Sequence, residues 1–418
     1  MHVRGGDVGT GDVLGLFWTQ GETRSPEIRI AAEMIVDRNV EDDFGRPTEA
    51  TSTFLRYEVR FGYEGPSHRG MLGRLVLLHE TLDYITEGEA GAHLAFPHSP
   101  SQFRSRVIVN GRRTPAGFIS VRKATDGQTE IVVHQDGRRR GPGQMAPAAS
   151  APKTIIGTTN TSAAPTILAA KREMQRWRFL ALEPRSMRKP DSFLAHTSIE
   201  SNGEHVPATL NRLAAANEEA GTTADDLFAQ VASRLASLVP VVGIDIDIDK
   251  ARQLLTLVAI ENTGTRLAAA SLSDGTLRFL TLAVLAIDQA AHGLFCIEEP
   301  ENGIHPAKLA QMVSLLMDLV MDVHEPPGPG NPLRQVIVAT HSPYFVQLVQ
   351  VAQPDDLLVA MVAFVNGPVG PIRTIRCRPL DGTWRAKGGA QTAGMLSIQD
   401  YLCSPASVQL SLRPLEAD

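Results

Sequence analysis

An α/β fold with a mixed sheet and helices is what this sequence predicts, and three stretches predict it. Leu294 to Ile297, four apolar residues behind Gly293, are too few for a helix and enough for a strand buried on both faces of a sheet. Val336 to Ala339 is a second such run, and Pro306 to Val323 between them carries Leu309, Met312, Val313, Leu316 and Val320 at helical spacing. Strand, helix and strand in that order make a parallel βαβ unit, whose crossover should be right-handed. Third, residues 27 to 135 hold a series of short β-type segments broken by turn residues, the pattern of antiparallel strands.

The totals set the class. A chain of 418 residues with 43% apolar content can bury a full core and is long enough for two or three lobes. Its three cysteines, Cys296, Cys377 and Cys403, form no CxxC pair, so they give neither a disulfide framework nor a zinc site, which suits a reducing cytoplasm. The apolar run Leu357 to Val365 is about half of what a bilayer needs and reads as another buried strand. No basic flank and apolar core mark a signal peptide at the start. A net charge of −6 argues against a surface that binds polyanions all over, while leaving room for local patches.

Five segments follow along the chain: a β-rich part at 1–135, a linker at 136–160, a helical lobe at 161–240, a core at 241–365 and an extension at 366–418. The glycines of residues 1 to 20 do not make a phosphate cradle. A P-loop needs the lysine and hydroxyl of GxxxxGK[ST], yet the first lysine is Lys123, and Lys153-Thr154 has Pro147 and Pro152 where both glycines should stand. The β segments are Ile28 to Val36, Thr53 to Phe61, Leu72 to Leu78, Arg106 to Val109, Phe118 to Val121 and Glu130 to Val133, with Asn110-Gly111 and Asp126-Gly127 as hairpin turns. Residues 136 to 165 turn to Gly, Pro, Ala, Ser and Thr behind Arg138-Arg139-Arg140, the composition of a surface loop.

Lys171 to Lys189 carries seven basic residues with Trp177 and Phe179 among them. A basic face with interleaved aromatics can follow a phosphate backbone. The same residues also fit a helix whose aromatics enter the core while its arginines face water. Ala224 to Leu238, with Leu227, Val231, Leu235 and Leu238 on one stripe, Thr223 as its cap and Pro240 as its stop, reads as a helix. Ile244 to Asp249 alternates with period two and reads as a half-exposed strand; its aspartates would stand nearly 7 Å apart, too far for one ion to reach all three.

Chemistry concentrates at the strand ends. Glu298 and Glu299 follow Ile297 where a strand would leave the sheet, the place where an open α/β sheet binds ligand. One acid there can hold Mg²⁺ through its waters while its neighbour polarises an attacking water, and adjacent strand residues point to opposite sides, which separates the two tasks. Taken alone, Glu-Glu-Pro-Glu-Asn-Gly also reads as an acidic turn. Upstream, Ser273-Asp274-Gly275 opens a helix with Leu277, Leu280, Val284 and Ile287 as its buried stripe, and unpaired N–H groups at such a start attract an anion. The same segment also fits an N-capped core helix without a ligand. Downstream, Val336 to Ala339 ends in Thr340-His341-Ser342-Pro343.

Leu-Ser-Asp-Gly-Thr-Leu-Arg (272–278), Glu-Glu-Pro-Glu-Asn-Gly-Ile-His-Pro (298–306) and Thr-His-Ser-Pro (340–343) together resemble the signature motif, the Walker B with D-loop, and the switch histidine of ATP-binding-cassette ATPases. The nearest likeness is to the predicted ATPases of the RecF/SMC-like group, with an AAA-type core. The resemblance implies an ABC-type P-loop ATPase-like core with a β-rich arm and a helical lobe. It implies ATP and Mg²⁺ as cofactors, an ATP-dependent homodimer, and DNA or an effector protein as partner, in DNA repair or phage defence, with no membrane.

On that pattern Glu298 takes the metal position, Glu299 is the general base and His341 the γ-phosphate sensor, while Ser273, Gly275 and Asn302 contact nucleotide. Asp274 stands where transporter relatives carry glycine, so it should cap the helix or pair with Arg278. His305 reads as a helix-start residue. The absent GxxxxGK[ST] is the departure from the family. The chain reads as though the first strand, its phosphate loop and its helix were cut off, through a mis-assigned start, a truncation or true loss. The second reading is therefore a non-catalytic or truncated subunit that donates its signature face to an intact ATPase. Beyond Val365 too little chain remains for a fused toprim nuclease.

Overall fold

A computed structural model describes residues 13–65, 73–111, 117–125, 127–136, 144–148, 151, 153–236, 241–367, 370–387 and 389–394. The chain divides into two compact units. One comprises Met1–Arg176 with Val323–Pro326 and Val362–Thr374, the other Trp177–Asp322 with Pro327–Met361 and Ile375–Asp418. The Arg138-Arg139-Arg140 run, the first glycines, Leu238, Pro240 and Cys403 lie outside the described residues.

In the first unit, β1 (Ile28–Ile35), β2 (Phe54–Glu64), β3 (Arg74–Tyr84), β4 (Ile119–Lys123), β5 (Thr129–Val133) and β6 (Gln144–Pro147) form one antiparallel sheet in the order β6-β5-β4-β3-β2-β1. Strands consecutive in this series pair with one another even where long connections separate them, as between β1 and β2 and between β3 and β4, while β4 and β5 are joined by a hairpin. Around Gly127, at φ +80°, the β4–β5 hairpin sets Val121 opposite Ile131. Leu55, Tyr57, Val59, Leu82, Ile119 and Ile131 bury one face with Ile167 and Leu168 of α1 (Pro165–Gln175). Arg106 to Val109 is not a strand: Ser105–Val107 is helical, and Asn110 forms an isolated bridge to Ser52 in place of a hairpin turn.

Among its described residues the second unit holds two larger sheets and five longer helices. One sheet is antiparallel: β8 (Asp191–Ser192), β9 (Val241–Asp249) and β11 (Arg266–Ala268) all pair with β10 (Leu254–Glu261), with α2 (Val206–Glu219) and α3 (Ala224–Leu235) lying between β8 and β9 in the chain. Thr223 and Asp226 form a reciprocal capping box at the start of α3, which satisfies two otherwise orphaned N–H groups. The other sheet is parallel, in the order β7 (Arg178–Leu180), β12 (Gly293–Glu298), β13 (Arg334–Ala339). The helix α4 (Asp274–Ile287) precedes β12, α5 (Leu309–Leu319) joins β12 to β13, and α6 (Pro343–Ala352) follows β13.

Phe295 and Ile297 of β12 face a core shared with Leu277, Leu280 and Val284 of α4 and with Met312 and Leu316 of α5. Buried Arg334 donates to the carbonyls of Ala291 (2.6 Å) and Asp288 (2.8 Å), fixing the start of β13 to the end of α4. Desolvation lowers its guanidinium to about 10.

Three further expectations change. The α5 segment begins as a 3₁₀ turn, Pro306–Lys308, and ends at Leu319, so Val320 falls beyond the helix and is 40% exposed. Leu358–Gly367 (β14) is not buried: it forms a two-stranded sheet with Gly370–Pro379 (β15), and Val362, Phe364 and Ile375 on it are exposed. The Lys171 to Lys189 basic residues are mostly engaged. Arg172 pairs with Asp43 (2.5 Å), Lys189 with Glu204 (2.7 Å) and Arg188 with Asp274 (2.6 Å), while Phe179 is 55% exposed instead of entering the core.

Candidate functional site at the ends of two parallel strands

The βαβ register brings the acids and the histidine to one end of the sheet. Glu298 closes β12 opposite Ala339, the last residue of β13. The Glu299 N–H extends the ladder by one rung to the Ala339 carbonyl (2.8 Å), so Glu299 leaves the sheet beside Thr340 and His341. Parallel strands with a helical crossover deliver both carboxyl ends to the same edge, which is why residues 42 positions apart in the chain become neighbours.

Glu299 then turns at φ +45°, a left-handed conformation uncommon for a residue with a Cβ and costing of order 1–3 kcal/mol. The turn holds because the Asn302 N–H donates to the Glu299 carbonyl (3.1 Å), the Ile304 N–H donates to the Glu301 carbonyl (3.0 Å), and Gly303 sits at φ +79°. The Asn302 side-chain amide donates to Glu299 Oε2 (2.6 Å), so it restrains the carboxylate proposed as base. Glu298 is exposed and, among the described residues, its side chain makes no ion pair or hydrogen bond, which leaves its oxygens available to a hard cation.

Ser273 caps the 14-residue α4, its hydroxyl accepting the Thr276 N–H (3.2 Å). Asp274 pairs with Arg188 and not with Arg278. Arg188 also donates to the Leu272 carbonyl (2.8 Å), bracing the loop before the helix. Arg278 donates to the Asn302 carbonyl and to that of Leu182 (3.4 Å). Gly275 presses against the turn so closely that a Cβ there would lie 2.4 Å from the Gly303 carbonyl oxygen. The helix start and the acidic turn therefore form one surface.

His341 is exposed between β13 and α6, and Ser342 caps α6 by accepting the Phe345 N–H (3.3 Å). His305 begins the Pro306–Lys308 turn, its Nδ1 accepting the Ala307 N–H (3.2 Å). Sequence reasoning missed Arg188, whose role comes from residues 84 and 86 positions away, and the burial of Glu301. Neither leaves a local pattern.

The other candidate anion and metal positions fall to structural duties. Thr154, of the Lys-Thr pair, caps Ile155–Thr158, and the N–H groups of Ile155 (2.7 Å) and Ile156 (3.0 Å) are taken by the Glu80 carboxylate. Glu200, Glu204 and His205 gather at the start of α2, but Lys189 answers Glu204 and Asp191 holds His205 Nδ1 at 2.8 Å.

Residues 186–347, which span α4, the acidic turn and His341, match the family described as AAA domain, putative AbiEii toxin, Type IV TA system. This segment is therefore similar to AAA-type ATPase domains. No curated protein matches the chain in sequence. Three solved structures are similar to this chain at low TM-scores. The Smc head domain with a coiled coil and joint from Pyrococcus yayanosii is 13% identical, covering 41% of this chain and 30% of that one, at TM-score 0.26. The Smc head domain of Pyrococcus furiosus bound to the C-terminal domain of ScpA is 8% identical, covering 40% and 39%, at 0.25. The SMC head domain from Thermotoga maritima is 11% identical, covering 84% and 99%, at 0.25. The chain spans less than half the length of the two Pyrococcus structures.

Proposed function

We propose that this chain binds ATP with Mg²⁺ and hydrolyses it where two copies meet, coupling the reaction to a partner in DNA repair or phage defence. One observation supports this reading above the others: Glu299 and His341 leave adjacent parallel strands at the same end, tied by the Glu299 N–H to the Ala339 carbonyl.

The residues suit the ligands. Glu298, exposed at the strand end, would hold Mg²⁺ through water, and the bound ion supplies neutralisation of phosphate charge. Glu299, oriented by Asn302, takes the proton from the attacking water. His341 donates a hydrogen bond to the γ-phosphate. Ser273 and the amides at the start of α4 receive a phosphate bound on the facing copy, with the Asp274 charge drawn aside by Arg188.

Proton transfer by a placed base is worth about 10²- to 10⁴-fold in rate. Glu299→Gln should lose turnover by that factor, retain ATP binding and accumulate as an ATP-bound dimer on gel filtration. Hydrolysis at the unchanged rate removes Glu299 from the role.

A second reading has its own support: the sequence holds no GxxxxGK[ST], so this chain donates its signature face to an ATPase that has one. Binding of ATP by the chain alone separates the two, since the donating subunit binds poorly until its partner is added. The engaged state of the Lys171 to Lys189 cations lends no support to a nucleic-acid contact there.

A further inference from the structure

Glu301 is only 9% exposed, although it lies in an acidic turn that sequence alone would place in water. Its Oε1 accepts the Thr340 hydroxyl. Thr340 Oγ1 accepts in turn the Ser342 N–H (3.0 Å), and Ser342 caps α6. His341 is the residue between the two ends of this clamp. The other carboxylate oxygen of Glu301, Oε2, is buried and has no hydrogen-bond partner among the described residues. Burying a carboxylate with one oxygen unpaired is unfavourable, so packing does not account for a glutamate here, whereas the bond to Thr340 does.

The same residue is part of the turn that carries the proposed base. The Glu301 carbonyl accepts the Ile304 N–H, one bond beyond the Glu299–Asn302 closure. A shift of the acidic turn is therefore passed through Glu301 and Thr340 to the loop of His341, and the reverse.

We infer that Glu301 is a positioning residue: through the Thr340 hydroxyl it sets His341 and locks the His341 loop to the turn bearing Glu299. Its kinetic consequence rests on the ATPase reading; its structural consequence does not.

The test uses the full chain with ¹³C-labelled histidine and follows the Cε1–Hε1 resonance of His341, assigned by His341→Gln. Glu301→Ala and Thr340→Val each move that resonance and leave those of His79 and His134 in place. Glu301→Gln and Thr340→Ser, which keep an acceptor and a hydroxyl, restore it. The double variant Glu301→Ala with Thr340→Val moves it no further than either single change, since both break one link. Should Glu301→Ala fail to fold, the Thr340→Val and Thr340→Ser pair reads the same link.

In an assay that shows ATP turnover, Glu301→Ala lowers kcat by about 10- to 100-fold with KM nearly unchanged, the scale of a misplaced catalytic group. An unmoved His341 resonance in both single variants, or additive shifts in the double, overturns the inference. A wild-type chain that binds ATP yet never turns it over counts against the ATPase reading and leaves the resonance test to decide this one.

Discussion

Two buried carboxylates, one in each unit, are treated in opposite ways. Glu80, fully buried in the antiparallel sheet, is answered by the N–H groups of Ile155 and Ile156 and by the Tyr57 hydroxyl at 3.2 Å. Glu301, at the ends of the parallel strands, bonds through one oxygen and buries the other without a partner. Nearby Glu298 is exposed, and Glu299, on a left-handed turn, has its carboxylate held by a single side-chain amide. A buried acid whose oxygens are all answered suits a part of the frame, while acids left partly unanswered on a strained turn suit the site proposed above.

The contrast is sharpened first by Glu299→Gln, the largest expected effect. Turnover should fall about 10²- to 10⁴-fold with the melting temperature held within a degree or so, because the carboxylate has one side-chain partner to lose. Glu80→Ala should behave in the opposite manner. Three donors, the Tyr57 hydroxyl in the sheet and the Ile155 and Ile156 N–H groups of the helical turn against it, lose their acceptor, which costs about 3 kcal/mol by chemical denaturation, while ATP binding by the folded fraction stays the same. If Glu80→Ala were as stable as the parent, the division between frame and site acids would fail.

Gly275→Ala comes next. Its Cβ would meet the Gly303 carbonyl at 2.4 Å, so the helix start and the acidic turn must part, at about 2 kcal/mol by the cost of overpacking. Because both sides are backbone, no rotamer change relieves it, and Ser273 and Asn302 move apart. An alanine variant with unchanged stability would show the two loops to be independent.

The smallest effect is at acid pH. Hydrogen bonds and charge from Arg29 hold Glu58 down to about 2, against the opposing effect of burial, with Arg60 adding to the first. The folded state thus favours the ionised form, so its contribution is present above the ordinary carboxylate range and is lost as pH falls toward about 2. Glu58→Gln should flatten that part of the stability curve. Glu80 has the reverse sign. Burial raises it, so its ionised form is disfavoured, and that stability is full at low pH and lost as pH rises through its folded value. A Glu80→Gln variant should stay closer to its low-pH stability when the pH is raised than the parent does.

Local pattern carried much of the fold. Thr223 capping α3, Ser273 capping α4, the run Gly293–Glu298 and the β4–β5 hairpin around Gly127 are all set by residues within a few positions of one another. Where the pattern was too short, it misled. Arg106 to Val109 alternates over too few residues to separate a strand from one helical turn. The run Leu357 to Val365 is apolar enough for a buried strand, but burial depends on what packs against it.

Residue type and order alone determined which groups sit at the ends of the β12–α5–β13 unit: two acids after one strand, a histidine after its neighbour, and a serine–glycine helix start before both. The tertiary structure alone decided how they are held, with Arg188 across to Asp274, Arg278 to the Asn302 carbonyl, Gly275 against Gly303 and Glu301 buried onto Thr340. The physical reason is range. Caps and strand runs are settled by hydrogen bonds and side-chain periodicity over a few residues, whereas these contacts join positions 24 to 86 apart and exist only once the core has brought them together.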